Sequence, residues 1–140
     1  MKVVVLQPGD EELLCRAEAV FNMEPTRERA AALLREPTYV MVVALTDGGE
    51  VMSRIYGHVL HRAEATDLLL YEVDTVEAHK RKGAARALVA KLREIGSQRG
   101  WSEMWVLTEV GNDEGNPFYE GVGGTLENSP SNMYVFKIGA

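Results

Sequence analysis

Cysteine is almost absent from this chain of 140 residues: Cys15 stands alone. An intrachain disulfide and a thiolate metal cluster are both excluded, and the lone thiol is expected to pack as a small hydrophobe. Histidine is scarce too, with only His58, His61 and His79. The first two fall on opposite faces of an extended strand, so no ligand set forms and no metal is expected. Long apolar runs are missing: the longest, "YVMVVAL" at 39 to 45, has seven residues, where a bilayer span needs about 20. The N-terminal "MKVVVLQPGD" holds four consecutive apolar residues, short of the roughly 7 to 15 of a signal-peptide core. A cytoplasmic protein with no membrane partner is expected. Net positive charge is also lacking, since the formal charge is -6. That disfavours nucleic acid as a partner and favours a cationic small molecule or a basic peptide.

What is present is ordinary for a globular chain, with 46% hydrophobic and 26% charged residues. A single domain spanning 1 to 140 is expected. "KVVVL" reads as a strand that stops at Pro8-Gly9, and Asp10 stands as N-cap before the helix pattern "EELLCRAEAVF". A second helix follows Pro25-Thr26 and ends at Pro37. "YVMVVALT", the turn Asp47-Gly48-Gly49 and "EVMSRIYGHVLHR" form an antiparallel hairpin, and "LLLYEVDTV" (68 to 76) is the next strand. A helix then carries Ala85, Leu88, Val89, Leu92 and Ile95 on one side. "EMWVLTEV" (103 to 110) reads as a strand, "NPFYEGV" as a short helix, and "NMYVFKI" as a closing strand, with one further strand in view near Thr125 to Glu127.

The positive charge that the chain does own is gathered at one place. Lys80-Arg81-Lys82-Gly83-Ala84-Ala85 lies between a strand and the N-terminus of a helix. Free backbone N–H groups at the positive end of a helix dipole, a glycine that lets the backbone approach closely, and three cations suit a ligand with several phosphates. A solvated helix entrance is the alternative reading. Neither the phosphate loop ending in Lys-Ser or Lys-Thr nor the G-x-G-x-x-G fingerprint is present, which disfavours a nucleotide hydrolase or a dinucleotide site.

The segment resembles the pyrophosphate loop of the GNAT superfamily of acetyl-CoA-dependent N-acetyltransferases: Arg or Gln, two residues, Gly, one residue, then Gly or Ala. Lys80 takes the first place. Asn112, Gly115, Phe118 and Tyr119 in "NDEGNPFYEGVGG" are similar to the family's Asn-x-x-Ala-x-x-Phe-Tyr segment, with Gly115 in place of alanine. "LYEVDTVEAHKRKGAARALV" is most similar to the small gentamicin-type aminoglycoside 3-N-acetyltransferases, with Tyr71-Glu72 and His79 in the corresponding places. The likeness covers roughly residues 38 to 138.

The resemblance implies an α+β fold whose central mixed, mostly antiparallel sheet of six to seven strands is flanked by about four helices. It implies acetyl-CoA as cosubstrate, a small-molecule amine acceptor of aminoglycoside type, a role in antibiotic resistance, and a homodimer. It also implies cofactor contacts at Lys80, Arg81, Lys82, Gly83, Ala84, Ala85, Asn112 and Tyr119, and pairing of the pantetheine arm with the backbone at Val73, Asp74 and Thr75. A bulge in that strand would expose an N–H for the thioester carbonyl.

Acetyl transfer to an amine needs a neutral amine, a stabilised oxyanion and a proton for the departing thiolate. On an extended strand Leu70, Glu72 and Asp74 share a face, which sets the two carboxylates about 7 Å apart. Glu72, or a water it holds, is the candidate base; Asp74 is a second candidate or a charge that binds the acceptor. Both acids facing water on an open sheet is the alternative. Tyr119, with a reference pKa of about 10, is the candidate general acid. An acetyltransferase acting on a peptide or protein amine, and a catalytically weak CoA-binding module, are the competing functions.

Overall fold

The computed structural model describes residues 1–127 and 132–139. The chain divides into two compact units, Met1–Leu107 and Thr108–Ala140. In the first, the order is β1 (Lys2–Val5), α1 (Glu11–Ala19), α2 (Arg27–Arg35), β2 (Tyr39–Leu45), β3 (Val51–His61) and β4 (Thr66–Thr75). A 3-10 turn at Glu77–His79, α3 (Ala84–Arg99) and β5 (Met104–Trp105) complete it. The second unit contains α4 (Gly115–Gly121).

The strands lie in the order β1-β2-β3-β4-β5. All neighbours are antiparallel except β4 and β5, which pair in parallel. The mixed sheet and four helices agree with expectation, but the sheet has five strands among the described residues rather than six or seven. The strand expected over 103 to 110 is only Met104–Trp105. Neither 125 to 127 nor 132 to 138 is a strand. Alternation supplies strand propensity, but a strand exists only where its N–H and C=O groups find a neighbouring backbone. Met133, Tyr134, Val135, Phe136 and Ile138 of the expected closing strand are all exposed.

β2 is buried along nearly its whole length. Met41, Val43 and Leu45 join a cluster with Leu14, Ala17, Ala30 and Leu34 of α1 and α2. By alternation Val40, Val42 and Ala44 face the other side, where α3 packs on β2, β3 and β4. Leu88, Val89, Leu92 and Ile95 of α3 are buried, each contributing about 1.5–3 kcal/mol relative to exposure. Helix ends follow local chemistry. The Thr26 hydroxyl accepts from the Arg29 N–H at 3.0 Å and caps α2. Asp10, expected to cap α1, makes no cap bond; its carboxylate turns back and accepts from the Gln7 N–H at 3.0 Å.

Candidate active site

The centre of the site is a bulge. Tyr56 of β3 faces Glu72, while the next residue, Gly57, faces Leu70, leaving Tyr71 as the extra residue of β4. Such a bulge sets two successive side chains on the side of the one they oppose. Tyr56 accordingly stacks on Tyr71, with ring centroids 5.6 Å apart, and its hydroxyl donates to Glu72 Oε2 at 3.1 Å. Leu70, expected to share the acids' face, is buried instead. Gly57 makes the bulge possible, because a Cβ there would lie 2.4 Å from the Leu69 carbonyl oxygen.

Past the bulge Glu72 and Asp74 remain together, each acting on the other's ionisation. Both are partly buried. Behind them lies Arg54 of β3, fully buried. Its Nη1 donates to Asp74 Oδ2 at 2.9 Å, Nη2 is 3.5 Å from Glu72 Oε1, and Nε is 2.9 Å from Glu18 Oε1 on α1. The rings of Phe21 and Tyr56 cover the guanidinium at 4.9 and 5.4 Å. One cation therefore serves three carboxylates. Burial and the neighbouring Glu72 push Asp74 up to about 6, against the pull of Arg54. Glu72 is held below the usual range: burial opposes ionisation, but the Asp74 carboxyl, the Arg54 charge and the Tyr56 hydroxyl outweigh it. Burial and the Glu72 carboxylate push the Tyr56 phenol up, so it remains a donor.

Tyr56 and Glu18 also line a cavity of about 420 Å³ together with Glu24, Arg29, Tyr39 and His58. Tyr39 and His58 meet edge to face at 5.4 Å, forming an aromatic wall. Arg54, Glu18, Tyr56 and this cavity were not singled out by sequence reasoning. The available signal was one arginine inside the buried strand pattern of "VMSRIYG", since a charge at a core position demands partners.

The basic loop takes the shape its residues suggest. β4 leads into the turn at Glu77–His79, then Arg81 at φ 65° and Gly83 at φ 80° reverse the chain into α3. Gly83 offers α3 no side-chain cap, and the first N–H groups of a helix have no intrahelical acceptor. A Cβ at Gly83 would meet nothing within 4 Å, so the approach to those groups is open. Arg81 and Lys82 are exposed and Lys80 is half-buried, 3.0 Å from Glu77 Oε2; Ala84 is buried and Ala85 half-buried. Lys82 lies 3.3 Å from His79 Nδ1. The parallel pairing of β4 with β5 covers only Leu68 and Leu69. Beyond them, at Val73, Asp74 and Thr75, no strand occupies that edge among the described residues. A helix start without a side-chain cap and a strand edge left unpaired among the described residues could hold a phosphorylated ligand with an amide-bearing arm.

Asn112 and Tyr119 belong to the second unit. Asn112 Oδ1 accepts from the Gly115 N–H at 2.8 Å, and the Tyr119 ring sits edge-on to Phe118 at 5.2 Å. A Cβ at Gly115 would crowd the Asn112 amide, which would have to turn aside.

A mixed sheet in this strand order, with α3 entered from a basic loop, is the fold of a class of acyltransferases. The chain belongs to the acetyltransferase (GNAT) family, whose pattern matches residues 8–123; members are acyltransferases that use acetyl-CoA. An aminoglycoside acetyltransferase from an uncultured soil metagenomic sample, in complex with sisomicin, superposes with a TM-score of 0.86 at 20% identity, covering 97% of this chain and 95% of that one. A second aminoglycoside acetyltransferase from such a sample gives 0.79 at 24% identity, covering 96% and 98%. The ribosomal-protein-alanine N-acetyltransferase of Brucella melitensis biovar Abortus 2308 gives 0.78 at 18% identity, covering 97% and 100%. At these identities the likeness is one of fold. No curated protein matches the chain.

Proposed function

We propose that the protein transfers acetyl from acetyl-CoA to a primary amine of a cationic, aminoglycoside-like small molecule by direct attack. The observation that carries this reading is the Glu72–Asp74 pair, linked through Tyr56 to the cavity wall. With three carboxylates around one arginine, the cluster carries excess negative charge. A protonated amine arriving there is attracted, and the pair takes its proton. Glu72 is the base, with Asp74 sharing the proton. The amine nitrogen then bonds to the acyl carbon as the C–S bond breaks, and Tyr119 gives its phenolic proton to the thiolate.

Lys80, Arg81, Lys82 and the N–H groups around Gly83, Ala84 and Ala85 hold the phosphates. The open backbone edge at Val73, Asp74 and Thr75 lies along the pantetheine arm, and Asn112 shapes the turn that carries Tyr119. Tyr119→Phe removes only the proton donor and is expected to lower kcat about 100-fold with little change in either KM. Gly83→Val places an L-residue at φ 80°. The strain of about 1–2 kcal/mol falls on the phosphate loop, so the KM for acetyl-CoA should rise about tenfold while that for the amine stays unchanged. Mass spectrometry of an aminoglycoside incubated with acetyl-CoA and the protein tests the reading as a whole.

A further inference from the structure

We propose that Arg54 is a positioning residue that aims the Glu72–Asp74 pair and, through its contact with Glu18, ties the charge on that pair to the helix bordering the acceptor cavity. The inference rests on the acid-base role given to the pair above. Its basis is geometric. The guanidinium is fully buried, yet each of its three nitrogens faces a different carboxylate, two on β4 and one on α1. A structural ion pair needs one partner; a planar fork sharing three fixes their directions relative to one another.

Glu72 and Asp74 keep 35% and 40% of their side chains exposed, while Glu18 keeps 14%. The inner oxygens are thus held by Arg54 and the outer surface of the pair is left to the acceptor. Glu18 is a wall of the cavity as well as a partner of Arg54, so whatever it binds alters how much of the arginine's charge remains for the pair.

The charged and titratable groups around the guanidinium are Glu18 from α1, Tyr39 from β2, Tyr56 from β3, and Glu72 and Asp74 from β4. The signs follow from Coulomb's law. Removing the cation leaves three mutually repelling carboxylates, so the pair should hold its proton to higher pH. Removing the Glu18 charge releases the cation to the pair, which should then lose its proton at lower pH.

The test is a side-chain carboxyl ¹³C NMR titration of the full-length wild type, Arg54→Gln and Glu18→Gln, with the acid limb of kcat/KM measured in parallel. The upper titration step of the pair, about 6 in the wild type, should rise by about one pH unit or more in Arg54→Gln and fall in Glu18→Gln. Opposite displacements of the titration step, matched by the same displacements of the acid limb of kcat/KM, tie the pair's charge to turnover, which an arginine that only holds the fold together would not do. A step that stays in place in Glu18→Gln, or moves the same way in both variants, overturns the proposal. If Arg54→Gln does not fold, Glu18→Gln alone decides by the same criterion. The titration needs no turnover, so a protein that acetylates no amine contradicts the functional reading and leaves this inference to be decided by the titration.

Discussion

Converting both acids to amides, Glu72→Gln with Asp74→Asn, is expected to lower kcat/KM by about 10²–10⁴-fold. The amine would still reach the cavity, but the carboxylate pair proposed to take its proton would be gone. Arg54 then keeps Glu18, a one-to-one ionic pair, so the variant should remain folded. The wild-type pH profile supplies the matching signature. A base must be ionised, and the pair's upper step lies at about 6. Activity should therefore fall as pH drops through that value, toward tenfold per unit below it. That limb should vanish in the double variant, while any limb from the amine's own ionisation stays. Loss of activity with an unchanged acid limb would show that some other group titrates.

The second large effect is expected at a residue with no side chain to take part in the chemistry. Gly57→Ala sets a methyl group 2.4 Å from the Leu69 carbonyl oxygen, and the backbone of β3 or β4 has to give. Overpacking of this kind costs about 1–3 kcal/mol, a fall in Tm on the order of 5–10 °C. The catalytic consequence should be larger than the thermal one. The bulge at Tyr71 is what brings Tyr71 and Glu72 beside Tyr56, and a displacement of about 1 Å at a reacting group can cost 100-fold. Thermal unfolding and kcat/KM on the same preparation check this; a variant with a lowered Tm and unchanged kcat/KM would mean that the bulge does not aim the base.

Most of the fold that positions the site is written in short stretches of sequence. The apolar run of β2, the Asp47-Gly48-Gly49 turn and the basic loop with Gly83 each state their own conformation, because propensity, turn chemistry and periodicity act within a few residues. The pairing of Glu72 with Asp74 survives for the same reason, being a separation of two along a strand. Tyr71 shows the limit: an extra residue is defined only against the partner strand, so a single strand's alternation misplaces Leu70 relative to the acids.

The Arg54 cluster was hidden for a related reason. Glu18, Arg54, Glu72 and Asp74 come from three elements separated by up to 56 positions, 18 to 74, and nothing local announces their convergence. Asp10 illustrates a competition between two acceptable local bonds, in which the backward bond to Gln7 replaced the helix cap. For residues 132 to 138 the alternating pattern was read correctly as a pattern. Periodicity describes the faces of a strand, but it does not supply a neighbour for its backbone.

The most direct measurement is product analysis by mass spectrometry after incubation with acetyl-CoA and, separately, an aminoglycoside set, polyamines and alanine-terminated peptides, with CoA release followed alongside. The account predicts a mono-acetylated aminoglycoside, a matching stoichiometry of CoA release, and loss of both in the Glu72→Gln, Asp74→Asn double variant. Acetylation confined to the peptides would contradict the proposed acceptor, and no acetylation of any amine by a protein that binds CoA would contradict the enzyme's proposed reaction.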